Sequence, residues 1–153
     1  MNTATNSHLP TVELAEMTKS VREFYADFSA ADLWKLPEIY AIDCEFKDPI
    51  HRVEGIEQLK SYMANMCANM NYCRFEFHRS ACNGDYVTLG WTLYFSHPKL
   101  NGGNEVTLEG MSELWYDQGK IKKHVDHYDM GSMIYEQLPI LRRLILYIKA
   151  RMS

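Results

Sequence analysis

The segment from residue 72 to residue 95 limits the fold most strongly, because apolar and polar side chains alternate on both sides of a turn. Successive side chains of a strand point to opposite faces, so this alternation predicts strands with one buried face. Asn83-Gly84-Asp85 is a hairpin signal between them. The apolar face of the second strand carries, in order, Val87, Leu89, Trp91, Leu93 and Phe95. The chain therefore contains an antiparallel hairpin that covers a core.

The rest of the chain combines helical periodicity with shorter alternating segments. The predicted helices cover Thr11 to about Ser29, Leu33 to Tyr40, Ile56 to about Asn69, and 131 to 152 with a restart at Pro139. The further predicted strands cover Cys44 to Asp48, Val106 to Tyr116 and Ile121 to Asp129. This order predicts an α+β fold, with a curved antiparallel sheet wrapped on about three N-terminal helices plus a C-terminal helix. We expect one domain over residues 11–153 and a disordered or loosely docked tail over residues 1–10.

Composition excludes several classes of partner. The formal net charge of −4 over 153 residues argues against a nucleic-acid partner. The four cysteines form no Cys-x-x-Cys pair, which indicates free thiols in a reducing compartment and a cytoplasmic location. Charged side chains interrupt the most apolar segment, near the C-terminus, so no transmembrane segment is predicted.

The C-terminal helix has one broad apolar arc, with Arg142 and Lys149 opposite it. The preferred interpretation is a lid helix that packs on the domain and turns a basic surface outwards. The alternative is peripheral contact with an anionic membrane or access to a lipid-like substrate.

Residues 119–129 carry the densest group of reactive side chains. On a regular strand, Lys122, His124, Asp126 and Tyr128 share one face, which places an acid–base pair beside a phenol. Ile121 and Val125 occupy the other face and need burial if His124 points inwards, which predicts a homodimer through that face. His124 and His127 point to opposite faces, so we expect neither a metal site nor a cofactor here.

Two motifs resemble a known family. Gly119-Lys-Ile-Lys-Lys-His124-Val-Asp126-His-Tyr-Asp129 resembles the SnoaL-like pattern Gly-Lys-Ile-x-x-His-x-Asp-x-aromatic-Asp. Phe46-Lys-Asp48-Pro49, followed by Val53-Glu-Gly55 and a helix, is similar to the segment that carries the catalytic aspartate of ketosteroid isomerases. From Val12 to Met152 the chain thus resembles the nuclear-transport-factor-2-like superfamily, in particular its SnoaL-like branch. The resemblance implies a cone-shaped, cystatin-like fold around a cavity.

The resemblance also implies which residues form the site. Asp48, Asp126 and His124 are the catalytic candidates. The ligand-binding candidates are Tyr128, Tyr25, Trp91, Phe77 and Ser112. The tyrosine that stabilises the oxyanion in the isomerases aligns with Phe24, one position before Tyr25, and their second donor aligns near Ser112. We expect two unpaired carboxylates on an apolar cavity, which are costly to ionise and suited to accepting a proton.

The site residues and the resemblance lead to two functional hypotheses of different classes. The first is a cofactor-free isomerase, cyclase, hydratase-like enzyme or hydrolase that acts on a small apolar carbonyl or polyketide-like compound. The second is a non-catalytic module that binds an apolar or lipid ligand, or a dimeric interaction module. Fold alone does not distinguish them.

Overall fold

In the computed structural model of the protein, residues 11–152 are described, with side chains from residue 15 onwards. The predicted tail over residues 1–10 lies outside the described residues, as do the side chains of Val12 and Leu14. The helices are α1 (Thr11–Ala26), α2 (Leu36–Ile39), α3 (Ile56–Asn69), α4 (Met130–Met133) and α5 (Pro139–Arg151). The strands are β1 (Tyr40–Lys47), β2 (Arg52–Glu54), β3 (Tyr72–Asn83), β4 (Tyr86–Ser96), β5 (Glu105–Asp117) and β6 (Lys120–Tyr128).

The six strands form one sheet in the order β2-β1-β6-β5-β4-β3. The predicted α+β fold is confirmed, with antiparallel pairing between all neighbours except β1 and β6, which run parallel. Sequence periodicity did not predict the three-residue strand β2. The parallel pair brings β1 beside β6, the strand that carries His124 and Asp126.

One face of the sheet packs against α1 and α3 to form the core. The predicted inner face of β4 is confirmed, because Trp91 is only 1% exposed and its four apolar neighbours on that face are also buried. Helix α3 has the predicted bounds. The segment around Pro37 is short and irregular, as expected from a proline within a helix, and Asp32 caps it by accepting from the Trp34 N–H.

Strand β6 contains a bulge that changes which face its side chains occupy. Ile121 pairs with Tyr116 and Lys123 pairs with Trp115, so Lys122 is an extra residue without a counterpart in β5. The shift allows both Ile121 and His124 to be buried. The prediction that Lys122 shares the face of His124 is wrong: Lys122 forms an ion pair with the exposed Asp43.

The bulge also removes the main reason for expecting a dimer. Ile121 is fully buried within its own chain, so it needs no partner subunit to cover it. Val125 remains half-buried on the outer face.

The C-terminal segment is not one continuous helix. Asp129 caps α4 by accepting from the Gly131 N–H, a single 3₁₀ turn follows, and α5 begins at Pro139. No residue of α5 is buried, so the predicted lid helix packed on the domain is not observed. Over the described part of the chain, no helix is long and apolar enough to span a membrane.

Candidate active site

A cavity of about 760 Å³ lies between α3 and the inner face of the sheet. Its size falls in the range of small-molecule binding sites. Aromatic and thioether side chains form much of its lining, including Phe46, Tyr62, Met66, Met70, Phe75 and Trp91. Three carboxylates, Asp48, Glu57 and Asp126, interrupt this wall. The cavity can thus enclose an apolar ligand and present a carboxylate to it.

His124 and Asp126 form a hydrogen-bonded pair on β6. His124 Nε2 lies 2.8 Å from Asp126 Oδ1, and the imidazole is buried. The same carboxylate oxygen accepts from the Ser112 hydroxyl, which in turn accepts from Trp91 Nε1–H at 2.9 Å. Asp126 is therefore oriented by His124 on its own strand and by Ser112 on the neighbouring strand β5. Its side chain still reaches the cavity.

Two tyrosines continue this chain of hydrogen bonds into the core. The Tyr40 hydroxyl lies 2.8 Å from His124 Nδ1, and the Tyr25 hydroxyl lies 2.8 Å from the Tyr40 hydroxyl. An ionised Asp126 can only accept, so a neutral His124 donates through Nε2–H and accepts at Nδ1. Tyr40 then donates to His124, and Tyr25 donates to Tyr40. Burial raises the pKa of both phenols, which keeps their protons in place.

Asp48 has a different environment from the one predicted. It directly follows β1, and its Oδ1 accepts from the backbone N–H groups of Ile50 and His51 at 2.7 and 2.6 Å. Its Oδ2 accepts from the Tyr62 hydroxyl. The expectation of an unpaired carboxylate is therefore wrong for Asp48, which is held in a tight turn by three donors. Asp126 is likewise paired.

Tyr128 differs from the other phenols of the cavity. Among the described residues, its hydroxyl makes no hydrogen bond, although its ring packs near Trp91 at 6.3 Å between centroids. Burial, followed by the negative charges of Asp48 and Asp126, raises the pKa of Tyr128. The phenol therefore stays protonated at neutral pH and can donate to a ligand.

The predicted site residues divide between two spaces. Tyr25, Asp48, Trp91, Asp126 and Tyr128 line the main cavity. The other three, Phe77, Ser112 and His124, line a small recess behind it, to which Tyr25, Trp91 and Asp126 also contribute. Phe24 is buried in the core beside the ring of Tyr25.

Sequence reasoning missed Tyr40 and Tyr62. Tyr62 lies one turn before Met66 on the apolar side of α3, so helical spacing could have placed it in the cavity. Tyr40 stands 84 residues from its partner His124, and no local pattern indicates that contact. Within residues 11–152, no group of three His, Cys, Asp or Glu side chains is arranged to hold a metal ion.

Solved structures with similar folds support the same architecture. A protein from Jannaschia sp. CCS1, described as a SnoaL-like polyketide cyclase, superposes with a TM-score of 0.68 at 18% identity, over 82% of this chain and 92% of that one. A protein with a ketosteroid isomerase-like fold from Catenulispora acidiphila DSM 44928, solved with trimethylamine, has a TM-score of 0.67 at 18% identity, over 77% and 89%. TerC, co-crystallised with polyporic acid, has a TM-score of 0.66 at 18% identity, over 76% and 94%.

Sequence comparison gives the family directly. No protein of curated function matches the chain. The sequence model of the SnoaL-like domain matches residues 21–124, which run from the middle of α1 to His124 in β6. The match covers more than half of the chain and includes Tyr25, Tyr40, Asp48 and His124. The protein therefore belongs to the SnoaL-like domain family.

Proposed function

We propose that the protein binds a small, largely apolar carbonyl compound in the cavity and abstracts a proton from the carbon next to the carbonyl. The observation that supports this most is the pairing of an oriented carboxylate, Asp126, with a free phenol, Tyr128, on one cavity wall. Residues two apart on a strand face lie about 7 Å from each other. That separation leaves room for a carbonyl group and its neighbouring carbon between the two side chains.

Each group has a defined part in the proposed step. Asp126 takes the proton, and the electron pair of the broken C–H bond forms a carbon–carbon double bond as the carbonyl becomes an enolate. Tyr128 donates a hydrogen bond to the enolate oxygen and keeps its proton. His124 keeps Asp126 oriented through Nε2–H. The enolate then closes a ring, or Asp126 returns the proton to another carbon, which gives cyclisation or isomerisation.

Asp126 is a better candidate for the base than Asp48. Two backbone N–H groups and Tyr62 already hold the Asp48 carboxylate, and moving it towards a ligand would break these bonds. We assign Asp48 to the cavity wall, where its charge favours the hydrogen-bond donors of a ligand. Two fold relatives were crystallised with small molecules, polyporic acid and trimethylamine, which supports the proposal of a small-molecule ligand.

A non-catalytic binding function is the second candidate, and one observation favours it. Several potential donors on the cavity wall are already used within the protein: Tyr25 donates to Tyr40, Tyr62 to Asp48, and Trp91 to Ser112. These three donors are not available to a developing oxyanion, which favours binding without reaction.

Proton exchange in D₂O distinguishes the two functions without knowledge of the product. We expect cyclic enones or aromatic β-diketones that bind to exchange the hydrogen next to the carbonyl, as followed by NMR. Asp126→Asn should slow exchange about 100-fold or more, with affinity within about tenfold, because a base acts mainly in the transition state. Tyr128→Phe should also slow exchange, and Asp48→Asn should retain most of it.

The matched control is Glu113→Gln, which changes the carboxylate that pairs with His127 on the outer face of the same sheet. Its exchange rate should equal that of the wild type. Exchange at the wild-type rate in Asp126→Asn would reject Asp126 as the base. Tight binding of these compounds without exchange in the wild type would support the binding function instead.

Self-association through the outer sheet face stays a prediction. It now depends on Met111 and Val125, since Ile121 is buried within the chain. Light scattering at micromolar concentrations tests it, and a monomeric mass would reject it.

A further inference from the structure

Helix α5 presents an apolar surface that nothing in the described part of the chain covers. Ile140, Leu144 and Ile148 are 84%, 55% and 49% exposed, and their spacing of four places them on one side of the helix. Leu141 and Tyr147, which flank this row, are exposed as well. A continuous apolar face in contact with water is uncommon on a domain that acts alone.

The helix is oriented so that this face points away from the domain. Arg142, Arg143 and Leu146 line a cleft between α5 and the loop from Lys99 to Gly102. At about 100° per residue, the row of Ile140, Leu144 and Ile148 lies on the opposite side of the helix. An ion pair between Lys149 and Glu136 ties α5 to the preceding turn. The apolar row therefore lies on the side of α5 that faces away from this cleft.

The positive charge of α5 indicates whether a second copy of the chain or a lipid surface covers this face. The helix contains Arg142, Arg143, Lys149 and Arg151 and no acidic residue. The chain has a formal charge of −4, and since α5 contributes +4, the remainder carries −8. Pairing with the α5 of a second copy would bring like charges together at the edges of the apolar face. Anionic lipid head groups would instead meet these side chains with opposite charge.

We propose that α5 is a peripheral membrane-binding element that lies in the surface of an anionic bilayer. Its apolar row inserts among the acyl chains, while the arginine and lysine side chains extend towards the head groups. Tyr147 lies at the edge of the apolar face, and a tyrosine is favoured at the boundary between the head groups and the acyl chains. This inference does not depend on the proposed function of the cavity, because α5 contributes no residue to its lining.

Vesicle co-sedimentation tests the proposal on the full chain. We expect binding to phosphatidylcholine vesicles that contain about one third phosphatidylglycerol, and little binding to pure phosphatidylcholine. Binding should weaken as salt screens the charges. Leu144→Glu combined with Ile148→Glu should reduce binding about tenfold or more, and so should Arg142→Glu combined with Arg143→Glu.

The control is Lys19→Glu combined with Lys35→Glu, which changes the net charge equally at exposed positions outside α5. It should bind like the wild type, and unchanged melting temperatures should show that each variant is folded. No binding to anionic vesicles would overturn the proposal. A dimer in light scattering that Leu144→Glu with Ile148→Glu dissociates, without vesicle binding by the wild type, would assign the face to a second copy instead.

Discussion

Tyr40 in β1 connects His124 of strand β6 to the buried Tyr25 of α1 through hydrogen bonds. Its hydroxyl is fully buried between Tyr25 and His124, and its ring stacks on the imidazole at 6.0 Å between centroids. Through Nδ1 it selects the tautomer in which His124 Nε2–H donates to Asp126. The orientation of the proposed base thus depends on a phenol that does not line the main cavity.

Removing this hydroxyl should destabilise the protein, whereas removing another buried hydroxyl should not. Tyr40→Phe leaves the Tyr25 O–H and His124 Nδ1 without their partner, so we expect a loss of about 1–3 kcal/mol in the free energy of unfolding. Tyr116 is the matched control, because within the described residues its buried hydroxyl has no hydrogen-bond partner. Tyr116→Phe should leave stability unchanged or raise it. Urea denaturation measures both, and an equal effect of the two substitutions would contradict the network.

Strand β5 shows how one element shapes the cavity through the absence of a side chain. Gly110 pairs directly with Trp91 across the sheet. A Cβ at Gly110 would lie 2.2 Å from the indole ring, far inside van der Waals contact. The indole therefore lies flat over a glycine, and this close approach sets the cavity wall on that side.

Gly110→Ala should therefore disturb both stability and the cavity. We expect a loss of about 1–3 kcal/mol from overpacking, together with weaker ligand binding as Trp91 is displaced. Gly90→Ala in the neighbouring strand is the control, because its new Cβ would mainly meet the side chain of His78, which is exposed and can move. Urea denaturation and intrinsic tryptophan fluorescence report the two effects. Equal stability of both variants would show that the indole can move away freely.

Several phenols lie largely inside the molecule. Burial is the main cause that raises the pKa of Tyr25, Tyr40, Tyr62, Tyr116 and Tyr128. For Tyr116 the pKa rises from 10.0 to about 12. These side chains are stable in the fold only as long as they keep their protons.

The protein should therefore lose stability at alkaline pH. A folded-state pKa above the unfolded value means that the unfolded chain releases its protons first, so the contribution is fully present below about pH 10 and is lost as pH rises towards the folded pKa. Urea denaturation between about pH 8 and pH 11 should show a falling free energy of unfolding, and tyrosinate absorbance should rise in two stages. Tyr116→Phe should reduce the dependence on pH. A free energy that stays constant over this range would contradict the expectation.

Local chemistry is sufficient to predict much of the fold. The bounds of α3, the inner face of β4 and the turn at Asn83-Gly84-Asp85 follow from periodicity and turn residues within a few positions of each other. The inward direction of His124 and Asp126 followed from the motif resemblance and not from periodicity, since alternation alone also allowed Ile121 and Val125 to face the core. Asp126 lines the cavity, and both residues line the recess behind it.

Contacts between distant segments account for what the sequence did not reveal. The bulge at Lys122 depends on how β6 pairs with β5, and it buries Ile121 where strict alternation would expose it. The parallel pairing of β1 with β6 brings Tyr40 to His124 across 84 positions, and the packing of α3 brings Tyr62 to Asp48. Periodicity reports only the direction of a side chain relative to its own element. Its partners are chosen by the packing of the elements against each other, because a buried polar group must find a donor or acceptor wherever the fold provides one.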